Sequence, residues 1–232
     1  MKNSTLFFAV ALLYICSNSM IHAQDVGSNQ TLLEGSGAFL VTMDNKNKDA
    51  IGSPYLYKDF TVAKISATSD VYKMRYNAFN DEIEVKVGGD KIKNFNKNLN
   101  NVVITFLDDD LNFLPLNYID VKNGLQRGYF VSLTDNKQKV KLYSKKEISF
   151  IEAKPAITSY DSDKPAEFKR LDDTFFVSIN DAYARALPTK KKDIAKMFPK
   201  HAKEVITFIK ENRIETSEEK DLIQLINYIN TL

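Results

Sequence analysis

The chain has 232 residues, 44% hydrophobic and 27% charged, a globular balance that excludes a fibrous or wholly disordered protein. A formal net charge of +2 offers no basic excess for a phosphate backbone, so nucleic acid is not an expected partner. One cysteine and two histidines leave little material for thiol, disulfide or zinc chemistry.

Lys2 and the terminal amine precede an uninterrupted apolar run over residues 6–15, and Ile21-His22-Ala23 ends in the small residue that signal peptidase requires before Gln24. Spanning a bilayer takes roughly 20 apolar residues, so this run predicts a cleaved secretory signal over 1–23. Ile15 stands where a lipoprotein signal needs a small residue, which argues against lipidation of Cys16. The expectation is export by the Sec route to the periplasm or the exterior, with no membrane span after cleavage. Cleavage removes Cys16 and His22 and leaves 31 basic and 30 acidic residues, with His201 the one histidine. Thiolate nucleophiles, disulfides and zinc sites with cysteine or several histidines are then excluded, and no cofactor or metal is expected.

Residues 24–36 are expected to form a flexible N-terminus before a single domain over 37–232. Tyr72, Met74, Tyr76 and Ala78 alternate with polar residues, as do Ile83, Val85 and Val87, and Asn80-Asp81 between them predicts a hairpin. Gly88-Gly89-Asp90 supplies the next reversal, into a strand over 91–95. Residues 102–107 and 111–119 flank Asp108-Asp109-Asp110, and 128–133 and 140–151 flank Asp135-Asn136-Lys137. Residues 168–171 and 174–179 are expected to pair across Asp172-Asp173. Short strands joined by local turns predict an antiparallel meander, a large sheet or an open barrel or roll. Over 189–232 the period becomes helical: Thr189 is placed to cap a helix over 190–198, and Pro199 suits the start of another carrying Ala202, Val205, Ile206 and Ile209. Thr216 and Glu219 form a capping-box pattern before Leu222, Leu225, Ile226 and Ile229. The fold class is α+β, with a pair or trio of short amphipathic helices at the C-terminus.

Residues 75–84, with Gly52-Ser53-Pro54-Tyr55-Leu56 and Gly128-Tyr129-Phe130-Val131-Ser132-Leu133, resemble a group of uncharacterised signal-bearing, β-rich proteins of flavobacteria and other Bacteroidetes. Phe198-Pro199 and the closing Tyr228-Ile229-Asn230 are similar too. The resemblance implies a bacterial envelope or secreted protein and carries no activity with it.

The expected function is therefore a non-catalytic binding or structural accessory of the envelope, with an envelope protein as a possible partner. Tyr55, Tyr57, Phe60, Arg75 and Asn77 are the candidate contact residues, though Arg75 opposite an acid on the next strand is also an ordinary cross-strand pair. A carboxylate-dependent hydrolase is the alternative, and it needs two of Asp81, Asp108, Asp110, Asp172 and Asp173 to converge in one cleft. Each of these stands where a hairpin needs a turn residue. A carrier of an apolar small molecule would need a cavity lined by Phe, Tyr and Leu in place of a filled core.

Overall fold

The computed structural model describes residues 37–41, 49–88, 91–157 and 161–232, so the signal segment, residues 24–36 and Gly89-Asp90 lie outside the described residues. The fold is α+β, with about 40% of residues in strands and short helices at the C-terminus.

Six strands form an open wing: β1 (Phe39–Val41), β2 (Thr61–Ile65), β3 (Val71–Asn77), β4 (Glu82–Val87), β5 (Lys91–Phe95) and β6 (Ile104–Phe106), side by side in the order β1-β5-β4-β3-β2-β6. Alternation sorts their side chains. Tyr72, Met74 and Tyr76 of β3 and Ile83 and Val85 of β4 face one core, while Val71 and Lys73 face out. The turn between β3 and β4 puts Asp81 at φ 56°, a left-handed conformation that aspartate tolerates, and Asn77 Oδ1 accepts the Asn80 N–H there.

Five further strands close on themselves. β7 (Leu111–Asp120), β8 (Gly124–Ser132), β9 (Val140–Lys145), β12 (Thr174–Ile179) and β13 (Ala184–Ala186) make a ring in the order β7-β13-β12-β9-β8, closed by β7 on β8. Phe130, Tyr143, Phe176 and Ala184 fill the ring together with Leu114, Leu116 and Tyr118, the Phe130 and Phe176 rings meeting edge to face at 4.9 Å. That interior is a packed core, not the hollow that an apolar carrier requires.

β7 belongs to both halves. Its residues 111–113 pair with β6 and residues 118–119 with β13, while its other edge runs along β8. Residues 114–117 have no strand partner on the first edge among the described residues, so the sheet splits there.

The sequence expectation differs from the structure in four places. The stretch 140–151 is two strands, β9 and β10 (Ile148–Ile151), and β10 pairs with β11 (Glu167–Arg170) in a separate small sheet, so β11 does not pair with β12. The break lets Phe150 and Phe168 pack at 5.0 Å over the wing beside Phe79, burial that a continuous strand would forgo. β13 joins β7 in parallel, so the sheet is mixed and not a pure meander. The helices, α1 (Lys191–Lys196), a 3-10 turn (Pro199–His201), α2 (Ala202–Glu211) and α3 (Glu219–Ile229), have no side-chain caps. Thr216 does not cap α3, because its hydroxyl donates to the Thr189 carbonyl at 2.6 Å and ties two linkers together.

Val205, Ile209, Leu222, Leu225 and Ile226 of the helices are fully buried against Val140, Leu142 and Val177. Asn230 closes the contact: its Oδ1 accepts the Val140 N–H and its Nδ2 donates to the Val140 carbonyl.

The buried tyrosines make the fold sensitive to alkali. Tyr76 donates to Asp81 Oδ1 at 2.8 Å and Tyr129 to the Phe95 carbonyl at 3.1 Å. Burial first, then the Asp81 charge, pushes both hydroxyls well above the ordinary tyrosine range. Unfolded tyrosines ionise near pH ~10 while these two stay protonated, so their contribution is complete below that pH and lost above it, by ~1.4 kcal/mol per unit each. Stability at pH 11 is expected to be roughly 3 kcal/mol below that at pH 8, read as a fall in the urea midpoint. An unchanged midpoint would contradict this.

Candidate functional site

Three of the five sequence candidates meet on the outer side of the β3–β4 hairpin. Arg75 and Glu84 are directly opposed, and Arg75 Nε and Nη2 both donate to Glu84 Oε2, at 2.9 and 2.7 Å. The guanidinium lies 3.6 Å from the Tyr55 ring centroid and 4.3 Å from that of Phe60, donates to Tyr55 Oη, and reaches the Lys58 carbonyl. Tyr55 in turn donates to Glu84 Oε1, and burial with the Glu84 charge pushes its hydroxyl up to about 12. Asn77 is buried and bridges to the Tyr55 backbone. Tyr57 is apart from this group, exposed beside Asp109, and its hydroxyl is raised by burial and by that carboxylate. The cluster's polar groups are satisfied within the chain, so its evident work is to fasten residues 53–60 onto the hairpin.

The acids do not converge on a cleft. Asp108 and Asp110 are exposed on the turn between β6 and β7, and Asp172 is exposed in the connection between β11 and β12. Asp173 pairs with Lys146 and Arg170 and accepts from Ser144 Oγ, locking the β11–β12 turn to the end of β9. Asp81 closes one end of the ring: Oδ1 accepts from Tyr76 Oη and the Tyr129 N–H, and Oδ2 lies 3.2 Å from Lys145 Nζ and 3.6 Å from Lys97 Nζ. Lys145 is buried, and its ammonium sits 4.9 Å from the Phe130 centroid and 5.4 Å from that of Tyr118. The Lys145–Asp81 contact lacks hydrogen-bond geometry, so ionic attraction and the two ring faces hold that charge.

The other end of the ring is open. There the split between β6 and β13 widens into a groove of about 630 Å³, within the range of small-molecule sites. Leu114 and Leu116 on the free edge of β7, with Tyr143 and Ala184, form its floor. Asn100, Asn117 and Arg127 stand on one wall, and Lys141, Ser178 and Asp181 on the other.

Two features of this groove bear on chemistry. Arg127 Nε donates to the Lys97 carbonyl, Nη1 to Asn117 Oδ1, and Nη2 to the Leu99 carbonyl and Asn100 Oδ1. All four acceptors are neutral, and no carboxylate of the described residues pairs with Arg127. Tyr143 is only 3% exposed, and its hydroxyl, which no described residue hydrogen-bonds, meets the groove. Burial, followed by the Asp181 charge, pushes that hydroxyl up to about 12, so it remains a proton donor throughout the neutral range.

Sequence reasoning did not select Arg127, Tyr143 or Lys145. One signal was present: Gly128 lies inside a strand pattern, which marks a close approach of other groups to the backbone. No protein-family model, curated protein or solved structure matches the chain.

Proposed function

We propose that the chain is an exported, non-catalytic binding protein that takes a small polar ligand in the groove at the β6–β13 split. The observation carrying this reading is the unpartnered Tyr143 hydroxyl on the groove floor. The ring is buried while the hydroxyl opens to the groove, so a ligand acceptor can take the place of water on it. Export is supported by the charged, apolar and small-residue pattern of residues 1–23 and by the lack of cysteine after Cys16.

The full chain, expressed in an exporting host and recovered from the periplasm, is expected to have the mass of residues 24–232, and a mass that retains residues 1–23 would contradict export by cleavage. In a thermal-shift screen of sugars, amino acids and organic acids, a ligand at 100 times its Kd adds ~2.7 kcal/mol and raises Tm by a few degrees. Tyr143→Phe is expected to reduce that rise. A ligand that stabilises the parent and the Phe variant equally would place binding outside the groove.

A further inference from the structure

The groove's hydrogen-bonding groups narrow the class of ligand. Arginine has only donors, so Asn100 and Asn117 must turn their Oδ1 atoms toward Arg127. That fixes both amides and leaves each Nδ2 without a partner among the described residues. Arg127 itself has used four of its five N–H groups, so one remains on Nη1. Tyr143 contributes its hydroxyl from the floor. Opposite them Asp181 Oδ1 is paired with Lys141, which offsets the lysine charge, and the Ser178 O–H is donated to the Ala182 carbonyl at 2.6 Å.

The Arg127 side of the groove thus presents fixed donors and an arginine charge that no carboxylate of the described residues pairs with. Such a site favours a ligand with many acceptors and a negative charge, because its donors need no reorganisation to meet it. The floor of Leu114, Leu116 and the Tyr143 ring suits an apolar face between the polar groups. A pyranose ring offers hydroxyls around its rim and C–H groups on its faces. Resting on the binding reading above, we infer that the ligand is an acidic sugar, a pyranose bearing a carboxylate or a phosphate.

A matched panel tests this by calorimetric titration with groove residues followed by NMR: glucuronate, glucose 6-phosphate, glucose and glucosamine share one ring and differ in charge. At least one of the two acids is expected to bind tenfold or more tighter than glucose, shift groove resonances, and weaken as NaCl rises from about 50 to 500 mM. Whichever acid binds identifies carboxylate or phosphate as the group read. Asn117→Asp keeps the acceptor for Arg127 while supplying a carboxylate beside it, so the fold is retained and acid binding falls at least tenfold. Tighter or equal binding of glucose or glucosamine, or full acid binding by the Asp variant, overturns the acidic-sugar inference and leaves the binding reading intact. Failure of all four probes overturns the inference, and the binding reading falls with it only if the broader screen also yields no ligand sensitive to Tyr143→Phe.

Discussion

Asp81→Asn is expected to lower the unfolding free energy by about 3–5 kcal/mol, and Asp81→Asn with Lys145→Met to recover most of that loss. Asparagine tolerates the positive φ of this position and retains an Oδ1 acceptor for Tyr76 and the Tyr129 N–H. The substitution therefore removes the charge and turns the oxygen that faces Lys145 and Lys97 into an N–H donor, with the Oδ1 contacts kept. Lys97, with a side chain 28% exposed, can turn its ammonium to water. Lys145 cannot, since its side chain is 6% exposed and packed on Phe130 and Tyr118. Two aromatic faces offer a cation about 0.5–2 kcal/mol each, less than the several kcal/mol that burying it unpaired costs. Methionine matches the length of lysine without its charge, so the double variant has no buried ion to strand. Urea unfolding at pH 7 with unchanged slope is the measurement. A single variant within about 1 kcal/mol of the parent, or a double variant no more stable than the single, would show that the pair is not the main constraint at that end of the ring.

Local pattern made the wing legible, and distance along the chain hid the ring. The alternation in Tyr72-Met74-Tyr76 and Ile83-Val85 needs no partner beyond the adjacent strand to be recognised, and the paired register Arg75 to Glu84 follows from the short turn. β13 is three residues long and pairs in parallel with β7, more than sixty positions earlier, so its place depends on closure of the ring. The stop between β9 and β10 was equally hidden. Lys146 and Glu147 look like two more polar positions of a strand until Asp173 and Arg170 arrive from the far side of a long loop. Thr216 shows the same limit for helices, since a capping box is a local inference and a tertiary hydrogen bond to Thr189 overrode it.

The candidate site was less legible because its chemistry lies in what groups lack. Aromatic and charged density drew attention to Tyr55, Phe60 and Arg75, and the structure does unite them, but around Glu84 and with their polar groups satisfied. Arg127 is one of many basic residues in sequence. Its interest comes from four neutral acceptors converging on it, three of them in the loop that precedes β6. Tyr143 reads as one more core tyrosine of a strand. Only the gap left by β6 and β13 along β7 turns its hydroxyl into an open valence.

Gly128→Ala is expected to cost about 4 kcal/mol, although alanine in a strand interior is ordinarily the better residue by about 0.5–1 kcal/mol. The backbone at Gly128 has no positive φ to forbid a side chain, so space alone decides. A Cβ there would lie 2.6 Å from Asp81 Oδ2, 2.8 Å from Lys145 Nζ and 3.3 Å from Tyr118 Cε1. Neither end of the ion pair is free to withdraw, because Asp81 is held by Tyr76 and Tyr129 and Lys145 is enclosed by two rings. Fitting the methyl group means either crowding the ring, at about 1–3 kcal/mol, or separating the ions, at about 3–5 kcal/mol. Gly88→Ala is the matched control, since a Cβ there meets nothing within 4 Å, and it should stay within about 0.5 kcal/mol of the parent. In a Lys145→Ala background, where the Nζ is gone, Gly128→Ala should cost at least 1 kcal/mol less than in the parent. Equal costs in both backgrounds would separate the glycine from the ion pair and leave its place in β8 to backbone preference alone.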